Sequence, residues 1–185
     1  MTVPDRAVLV APGASATRDH PSLVAIEDVL SADGVVVERI ELSSRKSAGV
    51  VLATVVQEAG ALASRTGLVP GRIVLGGRSF GGRMCSMAVA DGLPALGLAL
   101  VSYPLHPPGR PEKARTDHFP QLAVPCLFVS GTRDAFGSVA ELEAATAAIP
   151  GPVTHVWIDG GDHGLRGRDR HVAEVVRGWV LGLPG

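Results

Sequence analysis

The sequence predicts an α/β fold with about six mostly parallel strands and helices on both faces of the sheet. Short β-rich apolar runs alternate with longer segments of helical period from one end of the chain to the other. With 185 residues, the chain is long enough to bury a full core as a single domain spanning residues 1–185.

The elements follow in order. Residues 7–11 form a buried strand stopped by Pro12-Gly13. Residues 21–33 place Leu23, Ile26, Val29 and Leu30 on one helical face, with Pro21 suited to the first turn and Gly34 to the stop. Residues 35–40 are strand-like, and residues 48–66 form a longer helix ending at Gly67. Strands at 73–76, 98–101, 124–130 and 153–158 follow. Helices are expected from about Phe80 to Ala90, over 138–149 with Val139, Leu142, Ala145 and Ile149 aligned, and over 168–183 with Val172, Val175, Val176 and Trp179 aligned. Trp157 and Trp179 are expected in the core. One long connection, residues 102–123, leaves the C-terminal end of a strand, where open α/β sheets bind ligands. Its prolines disfavour a helical lid and predict an ordered, irregular loop beside the site.

Bulk properties narrow the function. The chain is 46% hydrophobic and 19% charged with a formal net charge of −1, which gives no reason to expect a nucleic-acid or membrane-surface partner. No run approaches the ~18 apolar residues of a membrane span. The N-terminus lacks a basic segment followed by an apolar stretch, so the expected location is cytoplasmic. Cys85 and Cys126 are expected to be buried thiols, as in a reducing compartment. No pair of histidines or cysteines has metal-ligand spacing, and no cofactor is expected. His20, His118, His155 and His171 are expected at the surface or in packing roles.

The chemistry is concentrated in three places. Gly77-Arg78-Ser79-Phe80-Gly81 directly follows the strand at 73–76 and opens a helix. A serine on such a turn sits on a sharply reversed backbone, with small neighbours on either side, and projects at a helix N-terminus where a developing oxyanion is favoured. Asp134 lies just past the strand at 124–130, and His163 lies in the loop Asp159-Gly160-Gly161-Asp162-His163-Gly164 after the last strand. Ser79 is therefore the expected nucleophile, His163 the general base and acid, and Asp134 the group that orients the imidazole. Asp134 could instead cap a helix, and Asp162 is the rival acid. The oxyanion hole would combine the backbone N–H of Phe80 with one from the Gly13-Ala14 turn.

These segments resemble the α/β-hydrolase superfamily, within it a short dienelactone-hydrolase-like branch without a cap domain. The resemblance rests on Leu75-Gly76-Gly77-Arg78-Ser79-Phe80-Gly81-Gly82-Arg83, Ser102-Tyr103-Pro104-Leu105-His106-Pro107-Pro108-Gly109 and Val129-Ser130-Gly131-Thr132-Arg133-Asp134, and on the order Ser, Asp, His. It implies a minimal hydrolase fold and a serine-hydrolase site acting on a small ester or acyl substrate. Many members carry His-Gly after the first strand, where this chain has Pro12-Gly13. With no cap, the pocket should be shallow or open unless a second subunit, as in a homodimer, covers it. Relatives that serve as subunits of larger assemblies leave a non-catalytic interaction module as the alternative. Arg78, Arg83 and Arg133 surround the site in sequence. They read first as ties for local turns, and second as binders of an anionic substrate group. Tyr103 and His106 are expected to line the pocket from the long loop.

Overall fold

The computed structural model describes residues 5–184. In chain order its elements are β1 (Ala7–Ala11), α1 (Pro21–Ser31), β2 (Val36–Arg39), α2 (Ala48–Thr66), β3 (Ile73–Arg78), α3 (Phe80–Ala90), β4 (Gly97–Val101), β5 (Cys126–Gly131), α4 (Val139–Thr146), β6 (Val153–Ile158) and α5 (Asp169–Gly182). The strands form one sheet in the order β2-β1-β3-β4-β5-β6, and every neighbouring pair is parallel. The expectation of a mainly parallel sheet with helices on both faces therefore holds.

Parallel strands covered on both sides must be apolar on both sides. Val8, Val10, Val74, Ala99, Val101, Leu127 and Val129 pack with residues of α1 and α5 on one face. Leu9, Leu75, Leu98, Leu100, Cys126 and Phe128 pack with residues of α2, α3 and Leu142 of α4 on the other. Trp157 and Trp179 lie at the margins of these layers, half-buried rather than central. Both thiols are free and buried, and burial pushes each up to about 12.

The sheet grows outward from β1 in two directions, with β2 on one side and β3 on the other. Loops leaving adjacent strands at such a reversal point diverge to opposite faces and open a crevice at their C-terminal ends. The turn after β1 and the turn after β3 flank that crevice. β3 is two residues longer than its apolar run suggests, because Gly77 and Arg78 continue the ladder opposite Leu100 and Val101.

The long connection between β4 and β5 contains two short 3-10 turns, Pro111–Lys113 and Phe119–Gln121, and no α-helix, as its prolines predict. It is tied to the body of the protein by aromatic packing. The rings of Tyr103 and Phe119 lie 5.4 Å apart, and both pack on Phe128 of β5 at 5.7 and 6.1 Å. Each such pair contributes about 0.5–1.5 kcal/mol beyond its buried area. The Tyr103 hydroxyl also donates to the Arg115 carbonyl at 2.8 Å, and the Arg115 N–H donates to the Leu105 carbonyl at 2.8 Å.

A second tie joins this loop to α3. The Ser86 hydroxyl donates to the Arg83 carbonyl, so His118 Nε2–H must be the donor in its 2.8 Å contact with Ser86 Oγ. Desolvation, then the nearby Arg83 charge, holds this imidazole down to about 4, against an ordinary 6.5. The unfolded chain therefore takes up a proton that the folded chain refuses as pH falls from 6.5 towards 4. The neutral ring's contribution to stability is complete above 6.5 and is lost through that window. His118→Gln keeps a donor for Ser86 but cannot titrate. The urea-midpoint advantage of wild type over this variant should shrink between pH 7.5 and pH 5, and parallel pH profiles would contradict the assignment.

Candidate active site

Ser79 sits between β3 and α3 with φ 50° and ψ −117°, a conformation that a non-glycine residue adopts only when its surroundings impose it. Those surroundings are close-packed backbone. A Cβ at Gly77, whose φ is +148°, would lie 2.1 Å from the Ala11 carbonyl oxygen, and one at Gly81 would lie 2.4 Å from the same atom. Both glycines are needed for α3 to rest its first turn against the end of β1. The Ser79 N–H donates to the Val101 carbonyl at 2.8 Å, and its own carbonyl accepts from Arg83 N–H at 3.0 Å. The turn is thereby fixed at both ends.

His163 follows β6. Its Nε2 lies 2.9 Å from Ser79 Oγ, and its Nδ1 lies 2.8 and 3.0 Å from the two carboxylate oxygens of Asp134. The carboxylate can only accept, so Nδ1 carries the proton and Nε2 is left to accept from the serine hydroxyl. Asp134 is held in turn by Phe136 N–H, which donates to Oδ1 at 2.8 Å. Its side chain is 2% exposed and that of His163 is 20% exposed. The acid is thus sealed beneath a ring that still reaches the surface. Asp162 has a different role. Its Oδ1 accepts from Gly164 N–H at 2.8 Å and Leu165 N–H at 3.0 Å, forming the turn that presents His163.

Two contacts that local sequence does not announce hold His163, one at its ring and one at its backbone. The Phe136 ring stacks on it at 4.0 Å with 27° between the planes. Arg78 Nη2 donates to the His163 carbonyl at 2.6 Å, tying the histidine loop to the elbow, the β3-to-α3 turn that carries Ser79. Arg78 thus ties down a turn while also bordering the cleft beside Ser79. Burial lowers its pKa, opposed by Asp134, Asp169 and Asp162.

The serine opens into a cleft of about 530 Å³ bounded by Gly13, Ala14, Phe80, Pro104 and Phe136. Gly13 approaches the elbow closely enough that a Cβ there would lie 3.8 Å from Ser79 Cβ. Ala14, from the turn after β1, and Phe80, at the start of α3, both border the cleft beside Ser79.

Other expectations need correction. Tyr103 does not line the cleft; it is buried in the aromatic cluster, where it anchors the loop. His106 is also buried, beneath the loop, with Nε2 3.5 Å from Glu141. In both cases the start of the loop, buried throughout residues 102–106, packs its side chains against the body of the protein. Arg133 is exposed and lies outside the cleft lining. The lining instead includes Arg83, Arg115 and His20, of which Arg115 had no local signal because its position depends on how the loop is tethered. Among the described residues, no three His, Cys, Asp or Glu side chains are grouped to hold a metal ion, and no helix is long and apolar enough to cross a membrane.

A family model described as an alpha/beta hydrolase domain matches residues 4–177. The chain belongs to the alpha/beta hydrolase family. Solved structures similar to this alpha/beta hydrolase include Est1E from Butyrivibrio proteoclasticus, at 17% identity and TM-score 0.78, covering 96% of this chain and 88% of that one. A dienelactone hydrolase from Anabaena variabilis is 19% identical with TM-score 0.79, covering 97% and 87%. The esterase domain of a Rhodothermus marinus protein is 16% identical with TM-score 0.72, covering 96% and 87%. At these identities the likeness is one of fold.

Proposed function

We propose that this alpha/beta hydrolase is a serine acyl hydrolase, esterase-like, acting on a small ester or related acyl compound through an acyl-enzyme. The observation that carries the proposal is the continuous relay of 2.9 Å from Ser79 Oγ to His163 Nε2 and 2.8 Å from His163 Nδ1 to Asp134. Fold likeness to proteins named as an esterase domain and a dienelactone hydrolase is in keeping with it.

In the proposed reaction Ser79 Oγ attacks the acyl carbonyl while His163 Nε2 takes its proton. Asp134 stabilises the imidazolium. The oxyanion receives N–H donors from Phe80 and Ala14, and the leaving alcohol takes the proton from His163. Water, deprotonated by the same nitrogen, then releases the acid and returns the hydroxyl to Ser79. A fluorophosphonate probe should label wild-type protein and leave Ser79→Ala unlabelled. Equal labelling of the two proteins would rule the proposal out.

A further inference from the structure

The cleft beside Ser79 carries charge that the relay does not use. Three arginines, Arg78, Arg83 and Arg115, border it, and none of the residues lining it is an aspartate or glutamate. Arg78 is engaged with the His163 carbonyl. Arg83 and Arg115 are different. Among the described residues neither forms a salt bridge, and the Arg83 side chain has no hydrogen-bond partner although its Nε is buried. Arg115 has only a 3.5 Å contact from Nη1 to the Pro104 carbonyl. Both arginines border the same cleft, and after desolvation Arg83 is the next influence opposing the charge on Arg115.

The backbone of each is also held in place. Arg83 stands one helical turn beyond Ser79, bound through its N–H to the Ser79 carbonyl, and so shares the nucleophile's side of α3. The Arg115 backbone is clamped by the Tyr103 hydroxyl and the Leu105 carbonyl. Two like charges on the wall of one partly desolvated cleft repel each other, and an anion between them relieves that repulsion. Guanidinium groups suit a planar carboxylate, whose two oxygens can accept from both forks. Beside Ser15 and His20, the wall also carries Ala14, Ala16, Phe80, Pro104 and Phe136, which offer surface for a hydrocarbon chain.

We propose that Arg83 and Arg115 form a carboxylate subsite, and that the preferred substrates are esters whose acyl chain ends in a carboxylate. The proposal rests on the serine-hydrolase reading for the reaction, but the subsite can be tested without turnover. Calorimetric titration of the Ser79→Ala protein would compare monomethyl adipate with methyl hexanoate, esters of equal acyl length differing in the terminal charge. The anionic ester should bind about tenfold or more tightly than the neutral one, from charge-assisted contacts. Adding Arg83→Met or Arg115→Met should abolish most of that preference. With both arginines intact, the preference should fall between about 0.02 and 0.3 M salt, a measurement that does not depend on how the variants fold. Equal affinity for the two esters, no measurable binding of either, or a preference insensitive to salt and to both substitutions would overturn the subsite. Fluorophosphonate labelling of wild type reports separately on the nucleophile, so failure of one proposal is distinguishable from failure of the other.

Discussion

Ser79→Ala should lower kcat by about 10⁶-fold on any ester that the wild-type protein turns over, equivalent to about 8 kcal/mol of barrier. The size follows from the relay acting as a unit. His163 Nε2 has the Ser79 hydroxyl at 2.9 Å, and without that hydroxyl the base has no nucleophile to activate. The same logic fixes what a second substitution does. Adding His163→Ala to Ser79→Ala should cost almost nothing further, because each removal already abolishes proton transfer. Steady-state kinetics of the two single variants and the double variant give the comparison. Losses that add independently would show that the two side chains do not act together. The Ser79→Ala protein should keep its urea midpoint close to that of wild type, since the elbow is held by backbone bonds to Val101 and Arg83 rather than by the hydroxyl.

Asp134→Asn should lower kcat by about 10⁴-fold while leaving the fold intact. The geometry dictates why an isosteric amide fails here. Phe136 N–H donates to Oδ1 at 2.8 Å, so that position must remain an acceptor and the amide oxygen takes it. The amide nitrogen then falls where Oδ2 was, 2.8 Å from His163 Nδ1. It presents N–H to Nδ1, which must give up its own proton to accept. The proton moves to Nε2, and Nε2 can no longer receive one from Ser79. Asp162→Asn supplies the contrast. Its carboxylate serves the Gly164 and Leu165 turn, where an asparagine oxygen accepts equally well, so the expected change in kcat is under about threefold. Parallel kinetics on the two variants decide which acid supports the imidazole, and similar losses in both would refute the assignment to Asp134.

Much of this was legible in the sequence because the informative signals are local. The strands at residues 7–11 and 153–158 and the helices at 48–66 and 80–90 coincide with β1, β6, α2 and α3, since a buried parallel strand and an amphipathic helix each carry their period within themselves. Ends were less legible. α1 stops at Ser31 although its pattern permits two more residues, because Asp33 and Gly34 N–H groups turn back to the Leu30 and Ser31 carbonyls. The convergence of Ser79, Asp134 and His163 is legible because each follows a strand and so lies at one end of the sheet. Residues on the long loop were misplaced. Between positions 102 and 123, whether a side chain points to the cleft or the core depends on the Tyr103, Phe119 and Phe128 packing, which no sequence period encodes. Phe136 and Arg115 reached the site for the same reason, through tertiary placement.

The stacking of Phe136 on His163 has a bearing on the second half of the proposed reaction. With one π-face covered at 4.0 Å, the ring cannot flip over during the catalytic cycle without displacing its neighbour. Deacylation must therefore proceed from the same ring pose as acylation. The hydrolytic water is then activated by the same Nε2 that faces Ser79. An alcohol slow to diffuse away would compete with water for that nitrogen and take the acyl group back, so the balance between hydrolysis and transfer would be set by how quickly the first product clears.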